Sequence, residues 1–289
     1  MCLVAVSCIL AAGCTSPENA AASNGKITVG VTIPPQAEFV ERVGGDRVNV
    51  LVMVPPGADP HTYEPKPSQI AALGSAKMYA MVGSGMEFEI AYMDKIRSVN
   101  RNMVIVNCSE GIPMALSDGE GAGTGSARSQ GEDPHIWVSP RNAKIMVEDI
   151  YRGLVSLDPE HQETYAANKE AYLQELDALD TEIGGVLKES NTTTIMVYHP
   201  AWTYFCRDYH LTQVSIENDG KEPTPQQLER LIRMARDDHI RVIIAEPEFS
   251  TKSANTIAGE VGGRVILLSP LEKNYTENMR QIATAIRDS

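Results

Sequence analysis

Short apolar runs alternate with amphipathic segments along most of the chain. Runs rich in β-branched residues, each bounded by Gly, Pro, Asn or Ser, predict strands. They lie at 26–33, 48–54, 78–83, 103–107, 192–199, 211–216, 240–246 and 264–269. The segments between them mostly carry the three- and four-residue apolar spacing of helices. Strands that alternate with helices predict an α/β fold with parallel sheets.

One helical segment is longer than a crossover within a sheet requires. From Asp158-Pro159 to about residue 188 there is no interior proline, and Leu176, Leu179 and Ile183 recur at steps of three and four. A helix of about 30 residues would be roughly 45 Å long. We therefore predict two lobes of parallel sheet flanked by helices and joined by one long backbone helix.

These patterns divide the chain into four parts. Its 289 residues are enough for two lobes of about 100–150 residues each. We predict a leader and tether at 1–25, an N-terminal α/β lobe at 26–157, a linking helix at 158–190 and a C-terminal α/β lobe at 191–289. A cleft between the two lobes is the expected place for a ligand.

The leader predicts export. Its apolar run is too short to span a bilayer as a helix but suits a signal sequence. The ending Ala11-Ala12-Gly13-Cys14 resembles a lipobox, although no Lys or Arg precedes Cys14. We expect an extracytoplasmic lipoprotein anchored in the membrane through lipidated Cys14. The alternative is an accidental apolar N-terminus.

Composition narrows the range of partners. A formal net charge of −13 makes nucleic acid and anionic lipid unfavourable partners and attracts cations weakly from a distance. Cys108 and Cys206 could pair only if the fold brings them together, and no CxxC motif indicates a thiolate zinc site. The Gly-rich residues 116–133 are typical of a surface loop.

Three of the histidines lie where an α/β fold binds ligands. His61 follows the strand predicted at 48–54, His199 ends the strand predicted at 192–199, and His135 lies at the exit of the Gly-rich loop. Ligands of open α/β sheets bind beyond the carboxyl ends of the strands. Three neutral imidazoles suit Zn²⁺ and leave a fourth position for a carboxylate or water. Spacing alone also allows three unrelated, solvated histidines.

Ligating imidazoles need acceptors for their second N–H group. Four acidic residues either lie close to one of these histidines in the sequence or follow a predicted strand end, and are candidates for this role: Asp59, Glu64, Asp133 and Glu246. The remaining histidines lack such a context. We expect His161 and His210 to be surface or structural residues, and His239 to lie at a helix end.

Five segments carry a resemblance to a known family. They read GADPHTYEPKPSQI, EDPHIWVSPRNAKIMVEDI, YHPAWTYFCRDYHL, GKEPTPQQLERLI and IIAEPEFSTKSANTIA. Their order resembles the metal-binding lipoproteins of ABC importers, the cluster A-I or TroA-like family, over about residues 26–285. The resemblance implies two α/β lobes with a metal in the interlobe cleft. Its ligand positions fall on His61, His135 and His199, and a histidine at the third position favours zinc over manganese.

The chain departs from that family in two places. Many members have an aspartate ligand in a segment like LDPL, whereas this chain reads LSPL with Ser269 at that position. A neutral hydroxyl is a poor zinc ligand, which leaves water or a carboxylate such as Glu246 for the fourth position. Many zinc-type members also have a His-rich loop before the second histidine, but residues 116–133 contain no histidine.

We therefore expect a monomeric zinc-binding protein that is not an enzyme. It would deliver Zn²⁺, with Mn²⁺ as the alternative cargo, to the membrane permease of an ABC importer, using metal ligands His61, His135, His199 and Glu246. A manganese- or iron-type protein or an adhesin of the same family is the alternative. A zinc hydrolase with Glu64 or Glu246 as its base is a third, although the chain has no HExxH motif.

Overall fold

A computed structural model of the protein describes residues 25–116, 131–190, 192–218 and 220–288. The predictions about the leader, about Cys14 and about most of the loop at 116–133 concern residues outside these ranges.

The first half of the chain forms a parallel four-stranded sheet of order β2-β1-β3-β4. Its strands are β1 (Ile27–Val31), β2 (Val48–Val52), β3 (Met78–Met81) and β4 (Val104–Asn107). The connecting helices are α1 (Pro34–Gly44), α2 (Pro67–Ala72) and α3 (Glu87–Val99). Pro34 and Pro67 begin their helices, where the missing proline N–H costs nothing.

A second parallel sheet of order β6-β5-β7-β8 follows. It contains β5 (Thr194–Val197), β6 (Thr212–Ser215), β7 (Val242–Ala245) and β8 (Arg264–Leu267). Helices α6 (Thr203–Tyr209), α7 (Pro225–Asp237), α8 (Lys252–Val261) and α9 (Tyr275–Arg287) flank it. The two sheets share one topology, so the prediction of two parallel α/β lobes is confirmed.

Two helices connect the sheets. Helix α4 (Pro140–Leu157) is capped by Ser139, whose Oγ accepts from the N–H of Asn142. A 3₁₀ turn at Pro159–His161 then leads into α5 (Gln162–Glu189), which has 28 residues and is roughly 42 Å long. The predicted long helix is confirmed; it begins at Gln162 because Pro159 starts the tighter turn before it.

Helix α5 is bonded to both halves of the molecule. The Tyr172 hydroxyl donates to Glu38 of α1 (2.7 Å), and the Tyr209 hydroxyl of α6 donates to Asp180 (2.8 Å). One continuous apolar core includes buried residues of α1, α4, α5 and α9. Because protein interiors are close-packed, a shared core of this kind resists movement of one sheet relative to the other.

The structure also shows the state of the two cysteines and whether any described helix could span a membrane. Cys108 and Cys206 are buried and are not joined by a disulfide. Within the described ranges, no helix combines the length and the apolar character that a membrane span needs.

Candidate metal centre

The three predicted histidines come together from separate segments. His61 follows β2 at the carboxyl edge of the first sheet, and His199 follows β5 at the corresponding edge of the second. His135 immediately precedes a 3₁₀ turn at Ile136–Val138 that leads into α4. The strand-end rule therefore explains how His61 and His199, so distant in sequence, meet between two sheets, whereas His135 joins them from the turn before α4.

The repeated Asp-Pro-His sequence builds the same turn twice. Asp59 Oδ1 accepts the backbone N–H of His61 at 2.9 Å, and Asp133 Oδ1 accepts the backbone N–H of His135 at 2.8 Å. An aspartate that binds the backbone two residues ahead replaces a backbone turn. Each aspartate thus fixes the peptide from which its histidine projects.

The Nε2 atoms of the three rings face a common point. His135 Nε2 lies 3.1 Å from His61 Nε2 and 3.2 Å from His199 Nε2. Among the described residues, these three form the one group of side chains that could hold a metal, with ligand atoms within 4.8 Å of one another. The pairwise distances between ring centroids are 5.2, 5.0 and 5.1 Å.

A carboxylate holds the other nitrogen of each ring. His61 Nδ1 donates to Glu87 (2.6 Å), His135 Nδ1 to Asp133 (2.7 Å) and His199 Nδ1 to Glu217 (3.0 Å). An ionised carboxylate only accepts hydrogen bonds, so the proton of a neutral imidazole stays on Nδ1. The lone pair of Nε2 then points at the common centre, which is the arrangement found in carboxylate–histidine–zinc sites.

These distances fit a tetrahedral zinc ion. With Zn–N bonds of about 2.0–2.1 Å, two nitrogens of a regular tetrahedron are about 3.3–3.4 Å apart. The observed separations of 3.1 and 3.2 Å are only slightly shorter. Three lone pairs at such separations repel one another unless a cation lies between them. The donor set therefore fits zinc in geometry and in chemistry.

Burial and the partner carboxylates give the rings different affinities for protons. Burial lowers the pKa of His199 to about 4, against the opposing hydrogen bond to Glu217. Burial also lowers the pKa of His61, but the hydrogen bond and the charge of Glu87 outweigh it and the pKa is raised. His199 is thus a neutral ligand at neutral pH, and a proton competes with a metal at His61.

Hydrogen bonds join the segments that lie on the two sides of the histidine site. The Tyr204 hydroxyl of α6 donates to the carbonyl of Asp133 (2.8 Å) and accepts the N–H of Ala115 (3.2 Å). The Trp137 indole donates to the carbonyl of Pro270 at 2.9 Å. These bonds connect the segment that carries His135 with the second half of the chain.

The fourth predicted ligand lies outside the histidine group. Glu246 is 1% exposed, and its two oxygens accept the backbone N–H of His199 and the indole N–H of Trp202, both at 3.4 Å. Burial raises the pKa of Glu246 to about 8. Its ligand role stays a prediction, and in this structure Glu246 holds the peptide of His199.

Two spaces border the imidazoles. A small cavity of about 20 Å³ is lined by the three histidines together with Glu246, Glu248 and Leu271. A wider cleft of about 620 Å³ includes Asp59, Glu87, Glu132 and Glu217 in its walls. A cleft lined by negative charge raises the local concentration of cations.

The ring partners were only partly predicted. Asp133 takes the predicted role, whereas Asp59 binds the backbone of His61 and Glu64 is exposed. Glu87 and Glu217 were missed, although Glu217 lies just beyond β6 and Glu87 begins the helix after β3. The strand-end rule, applied to acidic residues as well as to histidines, would have found both.

A family model described as the periplasmic component A of the zinc-uptake complex, ZnuA, matches residues 29–289. The chain belongs to the ZnuA family. The high-affinity zinc uptake system protein ZnuA of Bacillus subtilis (strain 168) is 29% identical over 306 residues, which cover 99% of this chain and 96% of that protein. The resemblance to the zinc-type family seen in the sequence is confirmed.

Solved structures of ZnuA proteins share this fold. A crystal structure of ZnuA superposes with a TM-score of 0.85 at 39% identity and covers 91% of this chain and 99% of that chain. A ZnuA deletion mutant with zinc bound gives a TM-score of 0.84 at 40% identity, with coverage of 91% and 97%. The two-lobe architecture is that of the family.

Proposed function

We propose that this chain captures Zn²⁺ outside the cytoplasm and delivers it to the membrane permease of an ABC importer. One observation carries the proposal: three Nε2 lone pairs converge between the lobes, each fixed by a carboxylate on Nδ1. Membership of the ZnuA family supports the transport role.

The donor set favours zinc over manganese. Imidazole nitrogen suits Zn²⁺, whereas Mn²⁺ prefers carboxylate, carbonyl and water oxygens. The rings of His61, His135 and His199 offer nitrogen alone at the convergent point. Because Cu²⁺ outranks Zn²⁺ at most nitrogen sites, tetrahedral geometry and metal supply provide the remaining selectivity.

The proposed role is binding and not catalysis. The family is that of a zinc-uptake component, so a bound ion is cargo. A three-histidine site with an open position is also the layout of a catalytic zinc. Hydrolysis of ester or peptide substrates by the zinc-loaded protein would contradict the role proposed here.

We propose the following division of the chain. Residues 26–157 and 191–289 would form the two lobes, and the linking segment 158–190 would set their spacing. Anchoring through lipidated Cys14 would keep this monomer at the membrane beside its permease. Export of the protein with and without a Cys14→Ser change, followed by membrane fractionation, tests the anchor.

Metal analysis of protein purified without added metal tests the function. We expect one equivalent of zinc and tighter binding of Zn²⁺ than of Mn²⁺ in chelator competition. Replacing His61, His135 or His199 by Ala should weaken zinc binding by at least about 100-fold, since losing a ligand exceeds the 10–100-fold cost of losing a ligand's partner.

Two other histidines provide the controls. His161 Nδ1 pairs with Asp158 beside α5, and His210 ends α6 in the left-handed conformation. Their Ala variants should bind zinc as the wild type does. Equal affinities for all five variants would refute the site.

A further inference from the structure

A second glutamate at the end of β7 faces the same small cavity as the three histidines. Glu248 follows Glu246 by two residues and lines the cavity. Its Oε1 accepts a hydrogen bond from Ser269 Oγ at 2.7 Å. Its Oε2 is buried and has no hydrogen-bond partner in the part of the chain that the structure describes. A buried carboxylate oxygen without a partner is unfavourable, and a nearby cation would satisfy it.

Ser269 holds one of the two oxygens of this carboxylate. The residue is 4% exposed, and its hydroxyl oxygen accepts the backbone N–H of Leu271 at 3.1 Å. A hydroxyl has a single proton to donate, and Glu248 receives it. Ser269 therefore positions Glu248 by a hydrogen bond, and it has no second hydroxyl proton to donate elsewhere.

The sheet topology explains why these two residues meet. Strands β7 and β8 are parallel neighbours, with Ala245 opposite Leu267. Glu248 and Ser269 lie just beyond these two strand ends, so they extend from adjacent positions at one edge of the sheet. A carboxylate from the loop after β7 can thus occupy the region reached by a side chain at position 269.

Glu246 is a weaker candidate for the same role. Both of its oxygens already accept hydrogen bonds, from the His199 backbone and the Trp202 indole. Turning Glu246 toward an ion would release the peptide that carries a ligand. Glu248 has one oxygen available, and its movement leaves the histidine backbones undisturbed.

We propose that Glu248, oriented by Ser269, supplies the carboxylate that completes the coordination of the zinc cargo. The proposal rests on the zinc-binding function proposed above. The Glu248 oxygens lie outside the group of three mutually close ligand atoms, so the side chain turns toward the ion on loading.

Zinc competition against a chromophoric chelator tests this assignment. Glu248→Gln should weaken Zn²⁺ binding by about tenfold or more. This is less than the loss expected for a histidine→Ala change, because the glutamine amide still offers an oxygen donor and loses only the charge. The variant should also change the visible absorption of bound Co²⁺, which reports the ligand set. Glu64→Gln, the control at an exposed glutamate, should keep the wild-type affinity and Co²⁺ spectrum.

A rescue variant separates ligation from folding. Ser269→Asp in the Glu248→Gln background should recover most of the lost affinity, because it returns a carboxylate to the same region. Ser269→Asp alone should bind Zn²⁺ no more tightly than the wild type, since two adjacent carboxylates repel each other. Failure of the double variant to bind more tightly than Glu248→Gln would overturn the proposal.

The outcomes distinguish the two proposals. Wild-type protein that does not bind zinc would overturn both the function and the fourth ligand. Wild-type binding with an unchanged affinity and Co²⁺ spectrum in Glu248→Gln would overturn the fourth ligand alone. A changed Co²⁺ spectrum in Glu246→Gln, with Glu248→Gln unchanged, would assign the position to Glu246.

Discussion

Asp59 and Asp133 precede a histidine by two residues and hold its backbone, but they differ at the ring. Asp133 binds both the backbone and the Nδ1 of His135, whereas the ring of His61 relies on Glu87 from α3. The side chain of Glu87 is 54% exposed, and that of Asp133 is 1% exposed. The hydrogen bond that orients the ring of His61 is therefore more exposed to solvent than the one that orients the ring of His135.

The first prediction concerns Glu217, whose side chain is 1% exposed and holds His199 Nδ1. Glu217→Gln should weaken zinc binding by about 10–100-fold, because the amide no longer fixes the Nδ1 proton or supplies charge. Chelator competition measures the change. Glu64→Gln is the control, since Glu64 is exposed. Equal losses in both variants would contradict a specific role for Glu217.

The second prediction concerns pH. Because Glu87 raises the pKa of His61, protons should begin to displace zinc above the ordinary histidine value of about 6.5 as pH falls. His199, with a pKa of about 4, contributes little until lower pH. In Glu87→Gln the decline of the apparent affinity should shift to lower pH. An unshifted decline would show that His61 does not govern it.

At the scale of elements, α9 depends on a residue of the opposite lobe. Glu38 of α1 accepts the backbone N–H of Tyr275 (2.7 Å) and the hydroxyls of Tyr172 (2.7 Å) and Thr276 (3.0 Å). A carboxylate at the start of a helix satisfies free N–H groups and interacts favourably with the helix dipole. One side chain therefore ties α1, α5 and α9 together.

The third prediction follows from this contact. Glu38→Ala should lower the free energy of unfolding by about 3 kcal/mol, because it leaves partly buried donors without an acceptor. Glu41→Ala, one turn along α1, removes only an exposed ion pair with Lys273 and should cost under about 1 kcal/mol. Urea unfolding of the two variants measures the difference. Similar losses would contradict the special role of Glu38.

The elements themselves were largely predictable from local signals. The capping box at Thr224 and Gln227 marks the start of α7, and the spacing of Leu176, Leu179 and Ile183 marks the buried face of α5. The strand-end rule could have pointed to Glu87 and Glu217 as residues near the site, but which histidine each one binds is decided only when distant segments pack. The ligand set and the lobe boundaries stay predictions.

At the scale of the whole molecule, the bridging helix limits how the cleft can open. The continuous core through α1, α4, α5 and α9, together with the bond from Trp137 to Pro270, opposes hinge bending. Release of the cargo would then use small shifts of the lobes or movement of loops. This differs from binding proteins that close around a ligand by large domain rotations.

The fourth prediction follows for the protein in solution. Small-angle X-ray scattering curves of the zinc-free and zinc-loaded protein should superpose. A clearly smaller radius of gyration in the loaded form would contradict the rigid account and indicate domain closure.

The central claim is that the three histidines hold one zinc ion between the lobes. Anomalous diffraction from crystals of the zinc-loaded protein, recorded on both sides of the zinc absorption edge, tests it most directly. The account predicts one strong peak about 2.0–2.1 Å from the Nε2 atoms of His61, His135 and His199. A zinc peak elsewhere, with these three rings unliganded, would contradict it.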